Sequence, residues 1–290
     1  MRDNHSTMAT GETPSPPGAR PARPDFKHFD GDAALYDSSK PVYPDALITR
    51  IVTAMRGREV LNAGCGTGIE ARQFQAHGCA VLGVDPDAGL ARFARGTGVP
   101  VEVSAFETWE PADRAFDAVV AGTAWHWIDP AAGVAKAAQA LRPGGLLAPF
   151  HHAMHTPPQL ADAIGEGLPA WTTRSAAAYQ KVAPHSTLDG EGRRKPSTEL
   201  YQPLFDGIAD GIRQAGGFDE PEQWRFEWEQ RYSREEWLDL LPTFGAVAKL
   251  PPEELAKALD AVGTVIDTMG GGFSMPYTTV AVVAVRRDSD

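Results

Sequence analysis

Apolar residues between Asp45 and His152 alternate between short strand-like runs and helix-like stretches. DALITRIVTAM, from Asp45, reads as a helix, with Pro41 and Pro44 forcing an extended turn ahead of it. Val60 and Leu61 then open a strand that breaks into glycines at every second position, Gly64, Gly66 and Gly68, before the helix-compatible IEARQFQAH. Strand CAVLGVD ends at Asp85, strand VPVEVSA follows, and FDAVV from Phe116 runs apolar without alternation, as a strand buried on both faces should. Ile128, Asp129 and Pro130 start the helix AAGVAKAAQALRP, Pro143 to Gly145 make a turn, and LLAPFHH is a fifth strand. Five strands alternating with helices predict a parallel, doubly wound sheet with right-handed crossovers.

The flanks are less regular. Residues 1–24 carry five prolines among Gly, Ser, Thr and Arg, the composition of a disordered tail, and lack the apolar centre of a signal peptide. From Asp25, Phe26, Phe29, Leu35, Tyr36, Tyr43 and Leu47 supply an apolar face ahead of the sheet, so 25–152 form a core with an N-terminal cap segment. Residues 153–225 are rich in Ala, Gly, Pro and single aromatics such as Trp171, Tyr179, Tyr201 and Phe205, and are expected to form a helical lid and substrate region. In WRFEWEQRY, Trp224, Phe226 and Trp228 fall on one face by period two. Helices SREEWLDLLPTF and PPEELAKALDAVGTVIDTM follow, and TTVAVVAV is a last strand, so 226–290 complete the sheet.

Composition narrows the class. A chain of 290 residues with 42% hydrophobic and 22% charged side chains is globular, with no apolar run long enough for a bilayer. A net charge of −11 argues against a nucleic-acid backbone as partner, because phosphate binding depends on Lys and Arg. Cys65 and Cys79 make no disulfide framework, which leaves the cytosol as the default compartment. No metal site and no membrane partner are expected.

The glycine loop carries the candidate chemistry. Glycines at a strand-to-helix junction let a ligand approach the backbone, and the following helix presents unpaired N–H donors. A dinucleotide fingerprint requires a third glycine at position 69, where the chain has Ile69, which disfavours a nicotinamide-dependent oxidoreductase. Asp85, at the tip of the second strand, is placed to accept both hydroxyls of a ribose lying across the first two strands, while Asp87 offers a helix cap. Two tryptophans flank a histidine at the tip of the fourth strand, in Trp125, His126 and Trp127.

VLNAGCGTG together with AGTAWHW and LRPGG resembles the class I S-adenosylmethionine (SAM) dependent methyltransferases, over roughly residues 25–150. The resemblance is to small-molecule enzymes of the type 11 kind with an AWHW-type fourth motif; the Asn- or Asp-Pro-Pro-aromatic signature of nucleic-acid amino-methyltransferases is absent. It implies an α/β, Rossmann-like, mostly parallel seven-stranded sheet with an antiparallel C-terminal edge strand. It also implies SAM as cofactor, S-adenosylhomocysteine (SAH) as product, and a small-molecule acceptor methylated on oxygen or carbon rather than nitrogen. Implied cofactor residues are Asn62, Gly64, Cys65, Gly66, Gly68, Asp85, Pro86, Phe106, Glu107 and Thr123. Two positions depart from the pattern: Asn62 stands where an Asp or Glu usually holds the cofactor's ammonium, and Ala105 where an acid usually faces adenine. They motivate the alternative of a SAM- or SAH-binding protein without this activity.

Methyl transfer is an in-line displacement that depends on alignment and exclusion of water, with a general base needed only for weakly acidic acceptors. His126 is the first candidate base and His151, with His152 beside it, the second; His126 is equally suited to positioning its neighbours. Tyr36, Tyr43, Trp125, Trp127 and Tyr179 are candidate walls for a flat or apolar acceptor.

Overall fold

The computed structural model describes residues 33–161, 197–244, 247 and 250–288. The predicted tail, Phe26, Phe29, Trp171 and Tyr179 lie outside the described residues. Two helices, α1 (Ala33–Ser39) and α2 (Asp45–Ala54), precede the sheet. Then β1 (Glu59–Ala63), α3 (Ile69–Ala76), β2 (Ala80–Asp85), α4 (Ala88–Gly96) and β3 (Val101–Val103) alternate. They are followed by β4 (Phe116–Gly122), α5 (Pro130–Ala140), β5 (Leu141–Met154) and α6 (Ser197–Ala215). The chain finishes with β6 (Glu222–Ser233), α7 (Arg234–Leu240), α8 (Pro252–Thr268) and β7 (Gly272–Val285).

The seven strands pair in the order β3-β2-β1-β4-β5-β7-β6. β1 to β5 are parallel, with Leu61 opposite Leu82 on one side and Val119 on the other. β7 runs antiparallel to both β5 and β6, so the C-terminal strand closes the sheet with β6 outside it. The burial pattern tracks this order: β4 is buried almost throughout, whereas β6 buries Trp224 and Tyr232 on one face and exposes Arg225, Glu227, Glu229 and Arg231 on the other. The period-two face expected of Trp224, Phe226 and Trp228 is therefore that of an outermost strand.

Two apolar layers sandwich the sheet. Leu47, Ile48 and Ile51 of α2 and Phe74 of α3 cover one face; Val134 and Ala137 of α5 with Phe205, Ile208 and Ile212 of α6 cover the other. A third cluster, built on Trp237, Val262, Ile266, Met275 and Tyr277, packs α7 and α8 on the far ends of β6 and β7. The described part of the segment expected to be a lid is thus a helix, α6, that covers the sheet through its apolar face. β6 begins at Glu222, and β5 extends to Met154.

α3 starts at Ile69, where IEARQFQAH begins, because Gly66 and Gly68 hold positive φ and keep the loop out of the helix. Two local departures from the sequence expectation have simple causes. The turn expected at Pro143 to Gly145 is an irregularity within β5, where pairing with β4 shifts register between Phe116 and Ala118. β3 spans only Val101–Val103, because Phe106–Thr108 turn into a 3-10 helix. Among the described residues no helix is long and apolar enough to cross a membrane.

Candidate active site

The strand order reverses direction between β1 and β4, and the crevice outside their carboxyl ends is where open α/β sheets take ligands. Gly64 and Gly66 form the floor of this crevice with φ of 67° and 53°. A Cβ at Gly64 would lie 2.6 Å from the Cβ of Ala124, while one at Gly66 would meet nothing within 4 Å. Gly64 is therefore required by packing, and Gly66 opens the loop to a ligand. Cys65 between them is 2% exposed and packs against Gly83 of β2, so its contribution to the crevice is its backbone.

The two acids after β2 divide their work. Asp87 caps α4, accepting from the amides of Gly89 and Leu90 at 2.7 and 2.9 Å. Asp85 accepts from Gly66 N at 2.8 Å with Oδ2 and from Asp87 N at 2.8 Å with Oδ1. Burial pushes its carboxyl up to about 6, with the two amides opposing the rise. Each oxygen keeps lone-pair capacity for a hydroxyl donor. Pro86, beside it, is exposed.

A second polar group lies at the tips of β1 and β4, and one member was not anticipated. Asn62, fully buried, donates from Nδ2 to Oε1 of Glu70 at 3.0 Å. The same oxygen accepts from Gly122 N at 3.2 Å. Asn62 Oδ1 is buried without a partner. Burial pushes the Glu70 carboxyl up to about 7, against the lowering effect of its hydrogen bonds. Next to it the hydroxyls of Tyr43 and Thr123 lie 2.8 Å apart. Thr123 holds φ at 52°, a left-handed conformation that a β-branched residue adopts at a cost and that recurs at functional sites. Tyr36 feels both acids: burial foremost, then the charges of Glu70 and Asp85, push its phenol upward. Sequence offered one clue to Glu70: it sits four residues before Phe74, on the buried face of α3.

The predicted aromatic and histidine residues separate into distinct environments. His126 and His151 come together, with ring centroids 5.5 Å apart, and Tyr201 meets His151 edge-on. Both Nδ1 atoms are buried without partners. Burial lowers His126 to about 4; His151 falls well below its ordinary value, by burial first and then by the neighbouring histidines. Trp127 lies against His126 and is 49% exposed. Trp125, expected in an acceptor wall, instead packs in the core at 4% exposure, with Gly133 of α5 and Phe106 against it. It turns inward because the 3-10 turn Trp125–Trp127 lays it against α5, in the apolar layer with Val134 and Ala137. Phe106 is likewise 3% exposed in that core, and Glu107 accepts from the amide of Asp129 at 2.8 Å, which ties the 3-10 turn to the start of α5.

Glycine loop, strand-tip acid and strand order match the fold of the class I methyltransferases. Residues 61–148, which carry the loop and the acid, match the family model described as methyltransferase domain. An uncharacterized methyltransferase of Mycobacterium tuberculosis H37Rv is 26% identical over 264 residues, covering 88% of this chain and 94% of that one. A ubiquinone biosynthesis O-methyltransferase of Rhizobium etli is 30% identical over 144 residues, 47% of this chain and 58% of the relative. A solved structure from Anaeromyxobacter dehalogenans, provisionally assigned as a type II methyltransferase, superposes with a TM-score of 0.56 at 21% identity. It covers 86% of this chain and 97% of that chain, and shows that the fold is shared.

Proposed function

We propose that the chain transfers a methyl group from SAM to an oxygen or carbon of a small acceptor in the cytosol. The observation that carries this proposal is the pair of buried acids, Asp85 and Glu70, at the glycine loop: one suits a diol and the other a cation. SAM, when bound, supplies an electrophilic methyl group on a sulfonium. Asp85 would take the ribose hydroxyls beside the open face of Gly66. Asn62 Oδ1 and Glu70 would take the ammonium, since an orphaned amide oxygen and a carboxylate strained by burial are both relieved by a cationic donor. The acid missing at position 62 is in this view replaced across the crevice by Glu70. Thr123 and Tyr43 border the reacting end.

His126 and His151 enter as neutral imidazoles. A group that protonates near 4 is a poor base for a phenol, so His126 would position the acceptor or its neighbours rather than remove a proton. An acceptor that arrives ionised needs no base at all. The O-methyltransferase name of the Rhizobium etli relative supports oxygen over nitrogen, and the net charge of −11 supports a small molecule over nucleic acid.

Titration of the purified protein and of Asp85→Ala with SAM and SAH tests the proposal. Micromolar binding that Asp85→Ala abolishes is expected. If neither ligand binds, the proposal is wrong. Tight binding without methyl transfer to any of a broad acceptor panel favours a non-catalytic SAM-binding protein, the reading motivated by Asn62 and Ala105.

A further inference from the structure

The face of β5 opposite His151 holds a group that methyl-donor binding leaves unused. His152 stacks on Tyr43 with centroids 4.3 Å apart, meets Tyr277 edge-on and tilts against Trp228. Trp228 Nε1 donates to Thr279 Oγ1 at 2.8 Å, and the same oxygen lies 2.8 Å from His152 Nδ1. An indole N–H can only donate, so the threonine hydrogen is available to Nδ1, and in that tautomer the imidazole proton sits on Nε2. That Nε2 is buried and has no partner, on a residue only 9% exposed.

Burial first, and then the charge of Lys40, just after α1, lower the His152 pKa. The Lys40 ammonium sits 4.4 Å from the ring centroid of Phe244 and 5.0 Å from that of Tyr36. No carboxylate among the described residues pairs with it. Burial lowers it to about 8, which leaves it mostly protonated at neutral pH. Ring faces attract a cation but do not accept its three hydrogens as a carboxylate does. Among the described residues, neither the charged Lys40 donor nor the His152 Nε2 has a hydrogen-bond acceptor, and aromatic rings border both. Tyr43 joins this group to the transfer site: its ring carries His152 and its hydroxyl touches Thr123.

We propose that Lys40 and His152 form an acceptor subsite for a carboxylate carried by a flat, aromatic or conjugated molecule, held among Tyr36, Tyr43, Trp228 and Phe244. The proposal rests on the methyltransferase function above and gives that function its acceptor class. Selectivity would come from charge: a carboxylate takes both donors, a neutral amide takes them weakly, and a cation is repelled by Lys40.

Benzoate, benzamide and benzamidine have the same outline and differ in charge, so they are suitable probes. Their affinities are measured by calorimetry on the full chain, with and without SAH, for wild type, Lys40→Met and Lys40→Arg. Benzoate is expected to bind at least about tenfold more tightly than benzamide, with benzamidine weakest. Lys40→Met should erase that order without changing SAH affinity, and Lys40→Arg should keep it. Equal binding of acid and amide, an order that survives in Lys40→Met, or no binding of benzoate at millimolar concentration overturns the proposal. The wild-type comparison needs no variant to fold. Because SAH is titrated separately, its failure to bind would count against the methyltransferase function and leave the anion preference to be judged by itself.

Discussion

Glu70→Gln separates two consequences of the buried carboxylate that act in opposite directions. Its ordinary value of 4.5 rises to about 7 in the folded chain. Below the lower value both folded and unfolded states hold the proton, and the site adds no pH dependence. As pH rises between the two, the unfolded chain releases its proton while the folded one retains it, so ligand-free stability falls. At about 1.4 kcal/mol per pH unit the loss is about 3 kcal/mol, complete near pH 7 and retained above it. Glutamine keeps the acceptor for Asn62 Nδ2 and Gly122 N but has nothing to ionise. Wild type and variant should therefore melt alike near about pH 4, and the variant roughly 6 °C higher near about pH 8. Asp85, also raised, contributes equally to both proteins and cancels in the difference. SAH binding should move the other way, weakening about 10- to 100-fold in Glu70→Gln through loss of a charge-assisted hydrogen bond. Methylthioadenosine, which lacks the amino acid, should bind both proteins equally. Scanning calorimetry across pH and titration calorimetry supply the two readouts. Parallel melting curves across the whole pH range, or unchanged SAH affinity, would refute the placement of Glu70.

Two other perturbations test the surroundings. Because His126 is held near 4 by burial, it stays neutral above about pH 5, so His126→Ala should lower turnover while leaving SAH binding and the shape of the rate–pH profile intact; an inflection near neutrality that vanishes in the variant would restore it as a general base. Gly122→Ala would place a Cβ 2.6 Å from the Tyr43 hydroxyl oxygen and 2.8 Å from Glu70 Oε1; overpacking should cost about 1–3 kcal/mol and weaken SAH binding, and a variant as stable and as tight as wild type would contradict the closeness of these groups.

Much of the frame was legible because it depends on local spacing. The glycine loop, Asp85 at its strand tip, Asp87 and Asp129 as caps, and the apolar run of β4 each follow from residues within a few positions of one another. Glu70 was not, because an acid in the first turn of a helix is ordinary by the helix dipole alone, and only the approach of Gly122 and Asn62 shows that it is buried. Trp125 misled for the complementary reason. Its place at a strand tip suggested a pocket wall, whereas the 3-10 turn that carries it packs it against α5, an element later in the chain. Lys40 and His152 were invisible as a pair because four strands, β1 to β4, separate them along the chain.

The placement of β7 between β5 and β6 has a consequence for biosynthesis. His152 meets Thr279 across 127 residues of chain, and β6 has β7 as its sheet neighbour. During translation the glycine loop and both acids can be assembled once β4 has emerged, whereas the ring-lined wall around His152 waits for the final strand. Until then the free edge of β5, with Phe150 and His152 on it, is open to mispairing, and such long-range closure is slow. A nonsense mutation or frameshift before Thr278 would leave a chain with the glycine loop and both acids in place but without the strand that completes the surroundings of His152, prone to aggregate through that edge.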